Sequence, residues 1–354
     1  MAKERQSNIE LLRIIAALGI ILIHIGDRGL DTLQFGTVNH SVVFLIESFA
    51  HCCVNLFLLA SGFFLIKSDR RTLSKPLDLF LQIAIIDVVL FIAFIATNRL
   101  DFTLYNVFKY CTPNDYFVVL FVTLYLISPY FNQLLRKLSK KEYRRLLLIM
   151  MCIFSIFTIS VDVYGEVMGE KWFGLSPIGA WGSQQGFNIV NFILIYIFGG
   201  YLSLFGEWDN VSNRKAAFIL VLSILIVFTW ALLNCFISHQ GLQSAWCYHN
   251  PFIILMSVSC FILFLKKDIR SKYVNILAKA SFLCYIFHTR IVGLIPWGDI
   301  MQRNVFVLLL YMLGFCVVAY LISWFLYVTY TFMTKKLFDK INKPLEIKYF
   351  DTES

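Results

Sequence analysis

The sequence predicts an all-α integral membrane protein, a bundle of about ten transmembrane helices with the N- and C-termini cytoplasmic. Three observations carry this. Apolar residues make up 59% of the 354 and charged residues only 15%, with a mean hydropathy of +0.72, whereas soluble domains carry about 25% charged residues. Runs such as VVFLIESFAHCCVNLFLLASGFFLI at 42–66 exceed the roughly 20 apolar residues that cross a hydrocarbon core of about 30 Å. Lys and Arg then alternate between the two sides as cytoplasmic connections require. Of the 31, 23 fall on one side, six on the other or at its flanking helix ends, and Arg13 and Lys279 lie within spans.

In order, the spans are 9–26, 42–66, 76–97, 116–135, 145–161, 187–205, 215–236, 251–265, 274–295 and 304–333. The first is preceded by Lys3 and Arg5, as a signal peptide would be, but no small-residue cleavage site follows Ile25 and Arg13 interrupts the run, so it reads as a retained helix. Residues 1–340 form one transmembrane unit and 341–354 a short cytoplasmic tail. No connection is long enough to fold as a separate domain, so any chemistry belongs to the bundle.

The net charge of +9 follows from this topology and implies the lipid bilayer, with no nucleic acid, as partner. The nine cysteines show no CxxC pair and read as small apolar side chains, with no metal site expected. Cys235 and Cys247 fall near the outer face, where a disulfide is one option.

Ionisable groups inside a span cost at least about 2.5 kcal/mol each on insertion scales, which makes each a functional candidate. Glu10 and Arg13 are neighbours on one helix face and suit an ion pair. His24 follows Arg13 by eleven residues, which returns it to the same face about 16 Å further along the axis. On the second span Glu47, His51 and Asn55 follow one another at i, i+4 and i+8. His288 of the ninth span falls in the same outer half, and Asp87 of the third near mid-membrane. Sequence alone leaves open whether these helices touch. A glycan exporter or proton-coupled transporter would present similar groups, although no inverted repeat is evident. A sensor would carry a soluble effector domain, and none is seen.

Arg13, ten residues and then His24 in the first span resembles the opening of the membrane acyltransferase-3 family, of the type that O-acetylates bacterial surface polysaccharides. Val54 to Phe63 (VNLFLLASGF) is similar to that family's second-span Phe-x-x-x-Ser-Gly signature, and Tyr116 to Leu135 resembles its fourth span with a Ser-Pro end. Asn191 to Tyr201, Tyr248-His249-Asn250-Pro251, and Ala278 to Ser281 with Tyr285-Ile286-Phe287-His288 resemble its sixth, eighth and ninth spans. One departure is the adjacent Arg70 and Arg71 before Lys75-Pro76, where the family often separates its basic residues.

The resemblance implies a multi-pass acyltransferase of the bacterial cell (plasma) membrane. It would take acetyl-CoA or another acyl-CoA from the cytoplasm as donor substrate, with no permanently bound cofactor, and acylate a hydroxyl of a surface or lipid-linked polysaccharide such as a capsule or other exopolysaccharide. Arg13, Arg70 and Arg71 are the candidates for the CoA phosphates, since guanidinium groups suit phosphate oxygens. His24, with Arg13 and Glu10 on its stripe, is the candidate base for the acceptor hydroxyl, and an acyl-histidine is the variant mechanism. Asn55, Ser61, Tyr285 and His288 could donate to the carbonyl oxygen. Glu47 could orient His51 or His24 or be structural. Trp172 and Trp181 could stack on sugars or anchor at the interface.

Overall fold

The computed structural model describes residues 6–113, 115–170, 173–237, 244–341, 345–347 and 349. Fifteen α-helices run in chain order among them. They are α1 (Ser7–Gly26), α2 (Val38–Ala50), α3 (Cys52–Leu65), α4 (Ser74–Ala96), α5 (Leu104–Cys111), α6 (Tyr116–Lys137), α7 (Lys140–Met151), α8 (Thr158–Met168), α9 (Ile189–Phe205), α10 (Asn213–Ile237), α11 (Pro251–Leu265), α12 (Lys272–Leu277), α13 (Ser281–Ile291), α14 (Trp297–Met301) and α15 (Val305–Ile341). Several begin where the sequence supplies a cap. Thr37, Asp115, Asn188 and Asn250 each accept a hydrogen bond from a backbone N–H of the first turn, and Ser139 with Glu142 forms a reciprocal capping box.

Among the described residues, eight helices or joined helix pairs are long and apolar enough to cross a membrane, and all eight coincide with expected spans. The expected sixth and eighth spans are shorter, 17 residues in α9 and 15 in α11, or about 26 and 23 Å at 1.5 Å per residue. Both lie inside the bundle, with more than half of their residues buried. With α1 they surround α3, which packs on all three. On the rim, α4, α10 and α15 point Ile92, Phe218, Phe306 and Phe325 outward, as lipid-facing helices do.

The glycine of the α3 Ser-Gly pair is explained by this packing. A Cβ on Gly62 would overlap the Tyr196 carbonyl of α9, and one on Gly199 would overlap the Leu59 carbonyl of α3. Without a hydrophobic force between helices in lipid, such close backbone approach is what holds them together.

Two sets of connections define the ends of the bundle. At one, Ser7 Oγ donates to Ser271 O (3.4 Å) and Asn8 to Phe264 O (2.9 Å). There too a short antiparallel ladder pairs Arg71–Thr72 (β1) with Glu346–Ile347 (β2). This is the basic end, carrying Lys67, Arg70, Lys266 and Lys267. The described part of the expected tail is thus docked on the bundle. At the opposite end Thr32 Oγ1 donates to Gly298 O (3.3 Å) and the Tyr248 N–H to Gln185 O (2.9 Å). Cys235 is exposed, Cys247 is buried, and neither is in a disulfide.

Candidate active site

Near the basic end, Arg13 of α1 donates to Glu10 Oε2 at 3.1 Å. The remainder of Arg13 faces a cavity of about 460 Å³. Arg13, Thr72, Lys75 and Ser61 supply its polar lining, Phe57, Phe117, Phe121 and Phe282 much of its apolar wall, and Tyr285 of α13 also lines it. A slot that is cationic at one place and aromatic elsewhere suits an elongated ligand with an anionic head.

The two adjacent arginines expected near it separate completely. Arg70 is 90% exposed and its Nε lies 4.0 Å from Glu346 Oε1 of the tail. Arg71 is 1% exposed and its donors are engaged by the protein. The cause lies in α6, where Pro129 has no N–H and leaves the Tyr125 carbonyl without its helical partner. Arg71 Nε (3.0 Å) and Ser128 Oγ (2.9 Å) donate to that carbonyl instead. Arg71 Nη1 donates to Ser68 O and Arg70 O, and Nη2 to Ser128 Oγ. Enclosed this way, its guanidinium has no face to offer a phosphate.

Towards the opposite end, the first and ninth spans meet. The His24 and His288 ring centroids are 5.2 Å apart, and Tyr285 lies 6.1 Å from His288. His288 is fully buried, with Nδ1 2.8 Å from Cys284 O. That contact assigns the Nδ1 proton and leaves Nε2 as a lone pair, which has no hydrogen-bond partner. His24 is about one-third exposed, with Nδ1 3.1 Å from Asp27 Oδ2. A carboxylate there holds the proton on Nδ1 and points Nε2 as a base.

Tyr285 is fixed from the other side. Its hydroxyl donates to Asp115 Oδ1 at 3.0 Å. Arg290 donates from Nε and Nη2 to the two oxygens of Asp87 (2.8 and 3.2 Å), and its Nη1 lies 4.0 Å from Asp115 Oδ2. Burial raises Asp115 above the ordinary carboxylate value despite these donors.

Glu47, His51 and Asn55 form a separate wall outside the cavity lining. Glu47 is 1% exposed and packs where a Cβ on Gly26 would overlap its carboxylate. Its Oε2 is 3.5 Å from His51 Nδ1, and the same nitrogen is 2.8 Å from Glu47 O. His51 stacks on Trp246, and Asn55 donates to Tyr248 O at 2.9 Å. Ser61 lines the cavity while its hydroxyl donates to Phe57 O (2.8 Å). Trp181 is exposed, edge-on to Phe173; Trp172 lies outside the described residues.

Asp27, Lys75, Asp115 and Arg290 were not singled out from sequence. Asp27 carried a usable signal, three residues after His24 on the same helix face. The others are recognisable only once α4, α6 and α13 are seen together.

A family model described as an acyltransferase domain matches residues 6–328, nearly the whole chain. No curated protein and no solved structure matches it.

Proposed function

Because the chain belongs to the acyltransferase-3 family and is a multi-pass membrane acyltransferase, we propose that it moves an acyl group, acetyl first of all, from cytoplasmic acyl-CoA to a hydroxyl of an extracytoplasmic or lipid-linked glycan. The basic end faces the cytoplasm by the excess of Lys and Arg on its connections. The observation that carries this reading is the cavity shared by Arg13 and Tyr285, because it joins the basic half of α1 to the residue beside the His24–His288 pair.

In this reading Arg13 and Lys75 bind phosphate oxygens of the donor, and the aromatic wall takes the pantetheine arm. His24 Nε2 removes the acceptor hydroxyl proton while that oxygen forms a bond to the thioester carbonyl carbon. The C–S bond then breaks, and the departing thiolate collects the proton from the imidazolium, giving ester and free CoA. Asp27 keeps His24 in the required tautomer. His288 packs its ring against His24 and positions it.

The test is thermal stabilisation of purified protein in detergent by acetyl-CoA. At a hundred times its dissociation constant a ligand adds about 2.7 kcal/mol. The unaltered protein gains this stability and Arg13→Ala loses about half of it or more. An unaltered protein indifferent to acetyl-CoA, as a nucleotide-independent carrier would be, contradicts the proposal.

A further inference from the structure

A second cluster of chemistry-bearing side chains sits at the end opposite the basic one. Asp162 comes from α8, and Cys247 and His249 from the segment that leads into α11. One ligand-capable atom of each lies within 4.8 Å of the others. His249 is fully buried, Cys247 is 1% exposed and Asp162 is partly exposed.

The contact between two of them is unusual. His249 Nε2 is 3.2 Å from Asp162 Oδ2, yet neither atom makes a hydrogen bond, and His249 Nδ1 has no partner either. Buried polar atoms are nearly always paired, so a fully enclosed imidazole with both nitrogens unmatched calls for an explanation. Two ligands bound at about 2.0–2.1 Å to one tetrahedral ion stand about 3.3 Å apart with no hydrogen between them. The 3.2 Å between His249 Nε2 and Asp162 Oδ2 matches that spacing.

We propose that Asp162, Cys247 and His249 bind a zinc ion, with a fourth, non-protein ligand completing a tetrahedron. Mixed nitrogen, sulfur and oxygen donors suit zinc, whereas magnesium and calcium take oxygen ligands. Thiolate and carboxylate together balance the two positive charges, so the loaded site is neutral, as an enclosed site needs to be. On binding, the Cys247 thiol releases its proton to solvent as the sulfur–metal bond forms.

Such an ion pins the 244–250 segment to α8. Ser155 Oγ, from the π-helical turn between α7 and α8, already donates to His249 O (2.6 Å). The same segment carries Trp246, stacked on His51 at 5.1 Å, and Tyr248, whose carbonyl holds Asn55. Zinc therefore fixes the wall beside the outer half of α1 and takes no part in acyl transfer. The sequence hides this site because Asp162 is far from Cys247-x-His249 in the chain, and that pair alone is not a zinc spacing.

The test uses full-length protein in detergent, stripped with a chelator and titrated with zinc chloride or cobalt chloride. The expected results are one zinc per chain by elemental analysis, a zinc-dependent rise in melting temperature, and a thiolate-to-cobalt charge-transfer band. Cys247→Ser abolishes the band, while Cys235→Ser keeps it. Asp162→Asn, at the most exposed of the three positions, weakens zinc binding by at least about 100-fold, more than loss of an outer-shell partner. Absence of stoichiometric zinc and of the cobalt band in the unaltered protein overturns the proposal whatever the variants do. Retention of the band in Cys247→Ser also overturns it.

Discussion

The imidazoles of His24 and His288 stand 5.2 Å apart, centre to centre, one from the first spanning helix and one from the ninth. His24 is accessible and carries Asp27 on Nδ1; His288 is enclosed and tied to Cys284 O. In the proposed mechanism this division gives one ring the chemistry and the other the task of holding it.

His24→Ala is expected to lower kcat by about 10²–10⁴-fold, the usual contribution of a positioned general base, with KM for the acyl donor nearly unchanged. His288→Ala is expected to cost about 10²-fold through misplacement of the His24 ring. His288→Phe, which keeps a ring against His24, recovers part of that loss. Steady-state transfer assays on the three variants separate the two roles, and a His288→Phe protein no better than His288→Ala refutes positioning by ring packing.

Arg13→Ala is expected to raise KM for acyl-CoA by about 10–100-fold, the equivalent of one charge-assisted hydrogen bond of about 1.5–3 kcal/mol. Arg70→Ala, altering a side chain 90% exposed, leaves KM within about twofold. The check is KM measured with both variants at equal membrane abundance.

Arg71→Ala is expected to act on folding. It leaves the carbonyl freed by Pro129 with Ser128 Oγ alone and removes the Arg71 donor from Arg70 O, while Ser68 O keeps Asn132 Nδ2, at about 1–3 kcal/mol per orphaned buried group. Chemical unfolding should report the loss, while any correctly folded fraction keeps its KM.

Gly62→Leu is expected to prevent assembly, because even a Cβ at this position overlaps the Tyr196 carbonyl. Size-exclusion chromatography should show aggregated or absent protein, in contrast to Gly314→Ala, where a Cβ meets nothing within 4 Å.

At the basic end Glu207 is held at about 2, well below its ordinary 4.5, chiefly by the Lys140 ammonium at 2.6 Å and then by Tyr201 and Arg144. A depressed carboxyl stabilises the fold fully above its unfolded value and stops doing so as pH falls through its folded one. The stability difference between unaltered protein and Glu207→Gln should therefore be largest above about pH 4.5 and vanish towards pH 2. Melting curves across that range provide the check, and a difference independent of pH contradicts the ion-pair origin.

The helices themselves were legible in the sequence, because 18 or more apolar residues in a row leave few alternatives. Helix α11 was read with its observed bounds, and α9 to within two residues; what the apolar runs do not encode is that both pack on α3. The Arg13–His24 stripe follows from helical periodicity within one helix. The meeting of His24 with His288 does not, since it depends on the packing of α1 against α13, which neither apolar run encodes. Arg70 and Arg71 looked alike as a dibasic pair. Only the missing N–H of Pro129, nearly sixty residues on, distinguishes the enclosed one from the exposed one.

The central claim is that this bundle acylates a glycan through His24. Its most direct test is the O-acetyl content of surface glycan from cells carrying the unaltered protein, no protein, or His24→Ala at matched membrane levels. Acetylation present with the unaltered protein and lost in both other strains is the predicted result. Equal acetylation in all three contradicts it.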